Sequence, residues 1–295
     1  MTSSFVAHGT TFRITSPDAD VVSVFDDLLV DMRVADDAGH TIDIHPIRSS
    51  TATGNDVTPT FRVRFDDETV YATLNGGSLV SHVLMEINQR AAASVWSRGS
   101  VPLHASAASG PGGAIVLPGV SHSGKTTLGV ALALAAGLET GFLADEVCAL
   151  DATDLVVSPY GKPAALRAPG TGLMAPRVAR LRHPGGPYER DERFVPPSEL
   201  GTRPLAPVPI GAIVFPRVGS STTTSGESPR LQSVAPVEAL TRLMRLTLGS
   251  EPVDVETFRT LERLVRDVAA YDLAYTDSIE ATAHLVDALG GQGSS

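Results

Sequence analysis

The chain has 295 residues, 42% of them hydrophobic and 19% charged, an ordinary globular composition with material for one large domain or two modest ones. Its formal net charge of -10 argues against nucleic acid or an acidic membrane surface as a partner, because both favour clustered lysine and arginine. The single cysteine, Cys148, excludes an internal disulfide framework and fits a reducing compartment.

The sequence shows no sign of a targeting or membrane segment. The N-terminal stretch MTSSFVAHGTTF has no basic run followed by an apolar core, so we expect no signal peptide. A run of about 18 apolar residues, which a membrane span would need, does not occur. We therefore expect a cytoplasmic protein without a membrane partner.

The first hundred residues alternate short predicted strands with one or two helices. Period-two alternation predicts strands at 12–15, 41–45 and 61–65, and 70–74 completes a hairpin after an acidic turn. Asp18 or Asp20 is placed to cap a short helix. Apolar residues at helical spacing from Val80 to Val95 predict a long helix that Gly99 ends. We expect this helix to join a smaller α+β region, residues 1–99, to the second half.

The second half alternates strands and helices around one long irregular stretch. Residues 160–207 are rich in Pro, Gly and Arg and are interpreted as functional loops around short elements. The pattern favours an α/β or α+β fold with a second domain at 100–290 and a disordered tail at 291–295. The predicted strands are 101–107, 114–118, 142–150, 210–216 and 271–275; the predicted helices are 128–136, 236–248, 254–269 and 278–289, with a polar excursion at 219–229.

Between the strand at 114–118 and the helix at 128–136, the sequence satisfies the phosphate-loop pattern GxxxxGK[ST]. Its two glycines permit backbone angles that turn successive amides into one concavity, and the following helix N-terminus adds to this anion nest. We therefore predict nucleotide binding, with an ordinary strand-to-helix turn as the alternative. The loop comprises Gly119, Val120, Ser121, His122, Ser123, Gly124, Lys125 and Thr126.

The side chains at the end of this loop suit a nucleoside triphosphate. Lys125 places a compact ammonium on the β- and γ-phosphates, the Thr126 hydroxyl suits Mg²⁺, and Thr127 is placed to reach the α-phosphate. His122 is either a plain loop side chain or a contact to phosphate or base. The predicted ligands are therefore ATP and Mg²⁺.

Two acids, Asp145 and Glu146, end an apolar run soon after Lys125, before another crossover could be completed. A phosphotransferase needs such a pair, because one carboxylate can hold the metal while another accepts the proton of the attacking hydroxyl. Neighbours on a continuous strand point to opposite faces. We expect Asp145 to face the phosphates, and Glu146 either to orient the acceptor or to make a structural bond. The alternative for Asp145 is a surface acid at a strand end.

The string PLHASAA, a glycine turn, AIVLPGVSHSGKTTL, a helix ending in glycine and FLADE resemble the catalytic domain of HPr kinase/phosphorylase. They are more similar still to that family's smaller HPr-kinase-like relatives, over about 101–151 and more loosely from 210 onward. The resemblance implies a P-loop kinase fold related to the phosphoenolpyruvate carboxykinases, behind a smaller mixed N-terminal region. The family phosphorylates a seryl hydroxyl on a protein, relatives act on peptides, and ring assemblies are frequent, so a homo-oligomer is an open expectation.

Carried over by position, the resemblance assigns Lys125 and Thr126 to the phosphates and the metal, Asp145 to the catalytic base or metal position, and His104 to an upstream histidine of the family. Glu146 stands where the family has a second aspartate. From the sequence alone, His104 is as readily a buried histidine with a satisfied partner as a functional one. No counterpart of the C-terminal signature linked to phosphorolysis is visible.

Lysine is rare in this chain: only Lys125 and Lys162 occur among 23 basic residues. Compositional drift towards arginine is the plain explanation, and a lysine that survives it is a candidate for a task that arginine cannot perform. Lys162 and Arg167 follow the strand that carries Asp145, so we name them as candidate contacts to phosphate or acceptor. The alternative for Lys162 is an exposed loop cation.

These observations favour an ATP-dependent kinase that acts on a hydroxyl, with Ser or Thr of a protein or peptide as the first hypothesis. One alternative is a small-molecule kinase in the same fold, and another is a nucleotide-binding regulatory protein without efficient turnover. The width of the groove beside Asp145 distinguishes the first two hypotheses, and phosphoryl transfer distinguishes both from the third.

Overall fold

The computed structural model describes most of the chain. The tail predicted at 291–295 and most of the polar segment at 219–229 lie outside the described residues. Among the described helices, none is both long and apolar enough to cross a membrane. The described residues are 1–35, 39–47, 60–110, 112–135, 141–151, 153–185, 188–201, 206–219, 228–249 and 253–290.

The N-terminal residues form a five-stranded sheet whose strand order follows the chain. β2 and β3 pair in parallel across an intervening helix, and the other neighbours are antiparallel. Asp18 caps that helix by accepting the amide of Asp20 at 3.0 Å. The strands and the capped helix predicted here are confirmed. The elements are β1 (Thr2–Ala7), β2 (Thr10–Thr15), α1 (Ala19–Leu28), a 3-10 turn (Val30–Met32), β3 (His40–Ile47), β4 (Thr60–Phe65) and β5 (Glu68–Asn75).

A long helix, α2 (Gly76–Ser97), connects this sheet to the second half of the chain. Asn75 caps it by accepting a backbone amide of its first turn at 2.8 Å. Its buried face, which includes Leu79, Val83 and Ile87, belongs to one hydrophobic cluster that contains residues of both halves. The joining helix is therefore confirmed, while the division into domains at residue 99 stays a prediction.

The second half forms a larger mixed sheet with helices on both faces, so the fold is mixed α/β. Its elements, in chain order, are β6 (Val101–Leu103), β7 (Ala105–Gly110), β8 (Gly113–Pro118), α3 (Lys125–Ala133), β9 (Phe142–Ala144), β10 (Cys148–Leu150), β11 (Val156–Ser158), β12 (Ala164–Leu166), α4 (Gly170–Met174), β13 (Arg193–Val195), a 3-10 turn (Pro197–Glu199), β14 (Val208–Val218), β15 (Arg230–Ser233), α5 (Pro236–Leu246), α6 (Val255–Asp267), β16 (Ala270–Tyr275) and α7 (Ser278–Gly290).

The strand order of this sheet brings three parallel strands to its centre. The order is β6-β10-β11-β14-β8-β7-β9, with β16 beside the C-terminal half of β14 and β15 outside β16. β8, β14 and β16 run parallel, so the segments that follow Pro118, Val218 and Tyr275 meet at one edge of the sheet. Ligands of open α/β sheets bind at such an edge. β12 and β13 form a separate two-stranded ribbon.

Both faces of the central strands are buried. Ile115 of β8 belongs to a cluster with α3 and α7, whereas its neighbour Val116 belongs to the cluster that contains residues of α2, α5 and α6. Successive strand residues point to opposite faces, so a strand covered on both sides reads as a continuous apolar run. This explains why the strands at 114–118 and 210–216 could be predicted from composition alone.

Two strands that the sequence predicts as continuous, at 101–107 and at 142–150, are each broken, so that part of the prediction is wrong. The first break is at His104, whose amide donates to Leu246 O at 2.7 Å and whose carbonyl accepts the Gly119 amide at 3.2 Å, outside the ladder. The second break is at Asp145–Val147, where Glu146 adopts φ 70° and the Val147 amide donates to Asp145 O at 2.9 Å. Because β7 pairs with β9 and β6 with β10, the two breaks lie side by side.

Candidate active site

The phosphate loop is wrapped tightly and tied to its neighbours. The Gly119 amide bonds the carbonyl of His104, and the Ser123 amide donates to Val120 O at 3.2 Å. Gly124 O accepts both the Leu128 amide at 3.0 Å and the Tyr275 hydroxyl at 3.2 Å, so the end of β16 holds the start of α3. The helix begins at Lys125, where its first amides lack intrahelical partners and its dipole favours an anion.

Gly124 is the loop position with the least tolerance for a side chain. Its φ is 90°, and a Cβ there would overlap the Tyr275 hydroxyl. We expect Gly124→Ala to abolish nucleotide binding measured by calorimetry and to cost about 1–3 kcal/mol of unfolding free energy, because a non-glycine residue is strained at this φ. Gly124→Ala combined with Tyr275→Phe should recover only the steric part of the loss. Unchanged nucleotide affinity in the single variant would contradict this view of the loop.

Lys125 and His104 both bind Glu146. Lys125 is 5% exposed, and its Nζ donates to Glu146 Oε1 at 3.2 Å. The other carboxylate oxygen, Oε2, lies 3.0 Å from Nε2 of His104. Burial acts in the opposite direction, but the hydrogen bond from His104 and the charges of Lys162 and Lys125 hold the pKa of Glu146 well below its usual range. Glu146 is therefore an anion at neutral pH, and it is still partly open to solvent.

Asp145 is enclosed and binds the loop from the other side. It has no exposed surface, and its Oδ1 accepts the Thr126 hydroxyl at 2.9 Å. Its Oδ2 is buried without a hydrogen-bond partner, with Lys162 Nζ 4.0 Å away. Burial raises the pKa of Asp145 and the neighbouring Glu146 charge adds to this, while Lys162 opposes it. The alternative of a surface acid at a strand end is therefore excluded.

The orphaned oxygen of Asp145 and the Thr126 hydroxyl fit a hard divalent cation. Mg²⁺ prefers oxygen ligands and usually binds proteins through one or two carboxylates, completing its shell with water and substrate phosphates. Within the part of the chain that the structure describes, no group of three His, Cys, Asp or Glu side chains could hold a metal alone. The predicted ligands Thr126 and Asp145 therefore suit Mg²⁺ only as part of a nucleotide complex.

Both lysines of the protein lie in this site. Lys162 is 3% exposed and faces Asp145, so the alternative of an exposed loop cation is excluded. Arg167 also lines the cleft, but its guanidinium is held by Glu192, whose Oε1 accepts Nε at 2.7 Å. Glu192 pairs with Arg190 as well, at 2.5 Å. Sequence reasoning missed Glu192, since alternating charges in YERDERF are its only signal and its burial is not visible there.

A cleft of about 360 Å³ opens over the phosphate loop. The predicted residues Ser121, His122, Gly124, Lys125, Thr126 and Thr127 line it together with Glu146, Lys162 and Arg167, whereas Gly119, Val120, Ser123, Asp145 and His104 do not. Its far wall comes from the segment after β12 and from the ends of β14 and β16. The cleft therefore lies at the edge where the parallel strands end.

A second cavity of about 930 Å³ adjoins this cleft at Glu146. Residues of α2 line it together with Val147, Leu248, Gly249 and Asp254. Glu146, Met85 and Asn88 line both cavities. Glu146 therefore borders both the cleft over the phosphate loop and the second cavity.

The N-terminal sheet supports the bend that carries the acids. His8, in the turn between β1 and β2, lies with Nε2 3.1 Å from the carbonyl of Val147. Its ring packs against Tyr160 with centroids 4.4 Å apart and a tilt of 31° between the planes, and the Tyr160 hydroxyl donates to Asn88 Oδ1 at 2.9 Å. No motif marks His8 in the sequence, so its contact with the site was not predicted.

His8 should make folding sensitive to acid. Withdrawal of its ring from water lowers its pKa from 6.5 to about 4, so stability is complete above pH 6.5 and is lost as the pH falls towards 4. We expect about 2 kcal/mol of unfolding free energy to be lost between about pH 7 and about pH 5 through this residue, measured by urea titration. His8→Gln should flatten the profile, and His45→Gln, on the surface, should not. If the unfolding free energy of His8→Gln falls as steeply between about pH 7 and about pH 5 as that of the wild-type protein, His8 is not the cause of the acid sensitivity.

Comparison with protein-family models finds no match, and comparison with curated proteins finds no significant match. The family resemblance of the sequence therefore stays a prediction, and the function has to be argued from the geometry of the site.

Proposed function

We propose that the protein is an ATP-dependent kinase that transfers the γ-phosphoryl group to a hydroxyl, in particular to Ser or Thr of a peptide or protein. The observation that carries this proposal is a double contact: Lys125 with Glu146, and Thr126 with Asp145. Carboxylates beside an anion-binding loop repel phosphate, so a function has to account for their position. In a phosphotransferase a divalent cation neutralises part of their charge, and one carboxylate accepts a proton from the attacking hydroxyl.

We also propose a P-loop kinase fold of the HPr kinase and phosphoenolpyruvate carboxykinase type. Two observations support it. The loop follows β8 at the carboxyl edge of three parallel strands. His104, which precedes the loop by about the distance at which the resembling family has a histidine, contacts Glu146. Neither observation depends on the N-terminal sheet, whose contribution is the support of the Asp145–Val147 bend by His8.

In this proposal the loop binds the phosphates of the nucleotide, and Asp145 with Thr126 binds the metal. The loop amides and Lys125 hold the phosphates, so the ammonium exchanges its contact with Glu146 for the β- and γ-phosphates. Asp145 and Thr126 would hold Mg²⁺, which when bound neutralises charge on the phosphate oxygens. Arg167, positioned by Glu192, adds positive charge at the wall of the cleft.

Burial favours Glu146 over Asp145 as the residue that meets the acceptor. Asp145 has no exposed surface and binds Thr126, whereas Glu146 is partly open and lines both cavities. In the transfer, the bond between the γ-phosphorus and the bridging oxygen breaks, and a bond from the acceptor oxygen to phosphorus forms. The hydroxyl proton passes to the Glu146 carboxylate, whose pKa rises when Lys125 leaves it for the phosphates, and ADP leaves with the bridging oxygen. His104 keeps that carboxylate oriented.

Incubation with Mg²⁺ and ATP labelled at the γ-phosphate tests the proposal. We expect label to move from ATP to a serine- or threonine-containing peptide or to proteins of an extract, and Lys125→Ala to abolish the transfer. Transfer to small hydroxyl compounds alone would favour the small-molecule alternative. Tight binding of ATP with no transfer to any acceptor would overturn the proposal in favour of a regulatory nucleotide-binding protein.

A further inference from the structure

The C-terminal half of α2 forms one wall of the second cavity. The residues on it recur at helical spacing: Met85, Asn88, Gln89, Ala92, Ala93 and Trp96. From the first to the last, the helix rises about 16 Å. An extended chain covers that distance with about five residues. The nucleotide cleft shares Met85, Asn88 and Glu146 with this cavity, so the two spaces adjoin where the proposed transfer takes place.

We propose that this acceptor groove, lined by α2, Val147, Leu248 and Gly249, binds the substrate as an extended peptide of about five residues, with its hydroxyl at Glu146. The proposal rests on the kinase function proposed above and specifies its acceptor. The groove shares Glu146, Met85 and Asn88 with the nucleotide cleft, so donor and acceptor approach the same carboxylate from two sides.

The wall chemistry suits a peptide with apolar side chains. Trp96 is held rigidly because its indole N–H donates to Leu248 O at 2.6 Å, which leaves its ring as a fixed apolar surface. Ala92 and Ala93 have short side chains, so a peptide backbone can approach α2 closely between Asn88 and Trp96. Asn88 has its Oδ1 occupied by Tyr160, so the group it presents is its amide donor, which suits a peptide carbonyl.

The charge of the groove makes its selectivity testable. Among the described residues that line it, the charged side chains are Glu146 and Asp254, both acidic, and no lysine or arginine contributes. Like charges placed together at an interface disfavour a partner, and opposite charges favour it. The groove should therefore prefer a peptide with arginine near the acceptor serine over the same peptide with glutamate there.

Ala93 offers a clean test, because it is exposed on the groove face of α2 and does not contact the phosphate cleft. The probes are two fluorescent heptapeptides with a central serine and apolar flanks, one carrying arginine and one carrying glutamate. We expect Ala93→Arg, which places a like charge in the groove, to weaken binding of the arginine peptide to the full chain by about tenfold in fluorescence anisotropy, without changing ATP affinity. Ala283→Arg, the matched change on the exposed face of α7, should change neither.

The outcomes separate this proposal from the one on which it rests. Anisotropy requires no turnover, so unchanged binding of the arginine peptide in Ala93→Arg overturns the groove even if the protein is a kinase. A preference for the glutamate peptide, or faster labelling of N-acetylserine amide than of either peptide, also overturns it. Failure of the wild-type protein to bind ATP would instead remove the kinase function, whatever the peptides do.

Discussion

Replacement of Lys125 by arginine should reduce phosphoryl transfer about a hundred- to a thousandfold, the usual cost of removing one preorganised group that stabilises the transition state. Arginine keeps the charge, but the planar guanidinium cannot occupy the pocket that encloses Lys125, which is 5% exposed and directed at Glu146. Transfer of label from γ-labelled ATP to the best peptide acceptor measures the loss, and circular dichroism checks that the variant is folded.

The reverse exchange at a distant position supplies the control. Arg259→Lys, on the exposed face of α6, should leave the transfer rate unchanged. The comparison also tests why the chain retains two lysines among 23 basic residues. Wild-type rates in Lys125→Arg would mean that compositional drift, and not chemistry, explains the residue at this position.

Replacement of Glu146 by glutamine should slow transfer by about two to four orders of magnitude, the range expected when a positioned proton acceptor is removed. Affinity for ATP should be preserved or increased, because the change removes a negative charge beside the phosphates and frees Lys125 from its ion pair. The two quantities therefore move in opposite directions, which a loss of folding cannot produce. Calorimetry gives the affinity, and single-turnover labelling gives the rate.

Glu146→Asp retains the charge but shortens the side chain by one methylene, so it should recover part of the rate that glutamine loses. Glu256→Gln on the surface of α6 is the neutral comparison. A full rate in Glu146→Gln would return the role of proton acceptor to Asp145, which the family resemblance assigns to the catalytic base or metal position.

The turn from β8 into α3 could be predicted because its requirements are local. Gly119, Gly124, Lys125 and Thr126 lie within one turn and one helix start, so their spacing alone predicts an anion-binding loop. The mixed α/β architecture was similarly accessible, since strands buried on both faces and helices with one apolar face have distinct periodicities.

The bend at Glu146 could not be predicted, because its causes are remote in sequence. His104 and Glu146 leave their strands at matching positions, and the contacts that fix these breaks come from Gly119, Leu246 and His8. An apolar run such as FLADEVCAL indicates a strand, and nothing in it reports a left-handed residue. The burial of Glu192 between two arginines escaped prediction for the same reason, since charge alternation usually marks a solvated surface.

One face of α2 packs in the core and stabilises the fold, and the other lines the proposed acceptor groove. Leu79, Val83 and Ile87 are locked into the interior, where a change in volume is costly, while Met85 and Ala93 are exposed and tolerate replacement. During divergence, mutations can therefore accumulate at the exposed, groove-lining positions of α2 without unfolding the protein. Homologous proteins that recognise different partners should differ at these positions and share the residues at the buried ones.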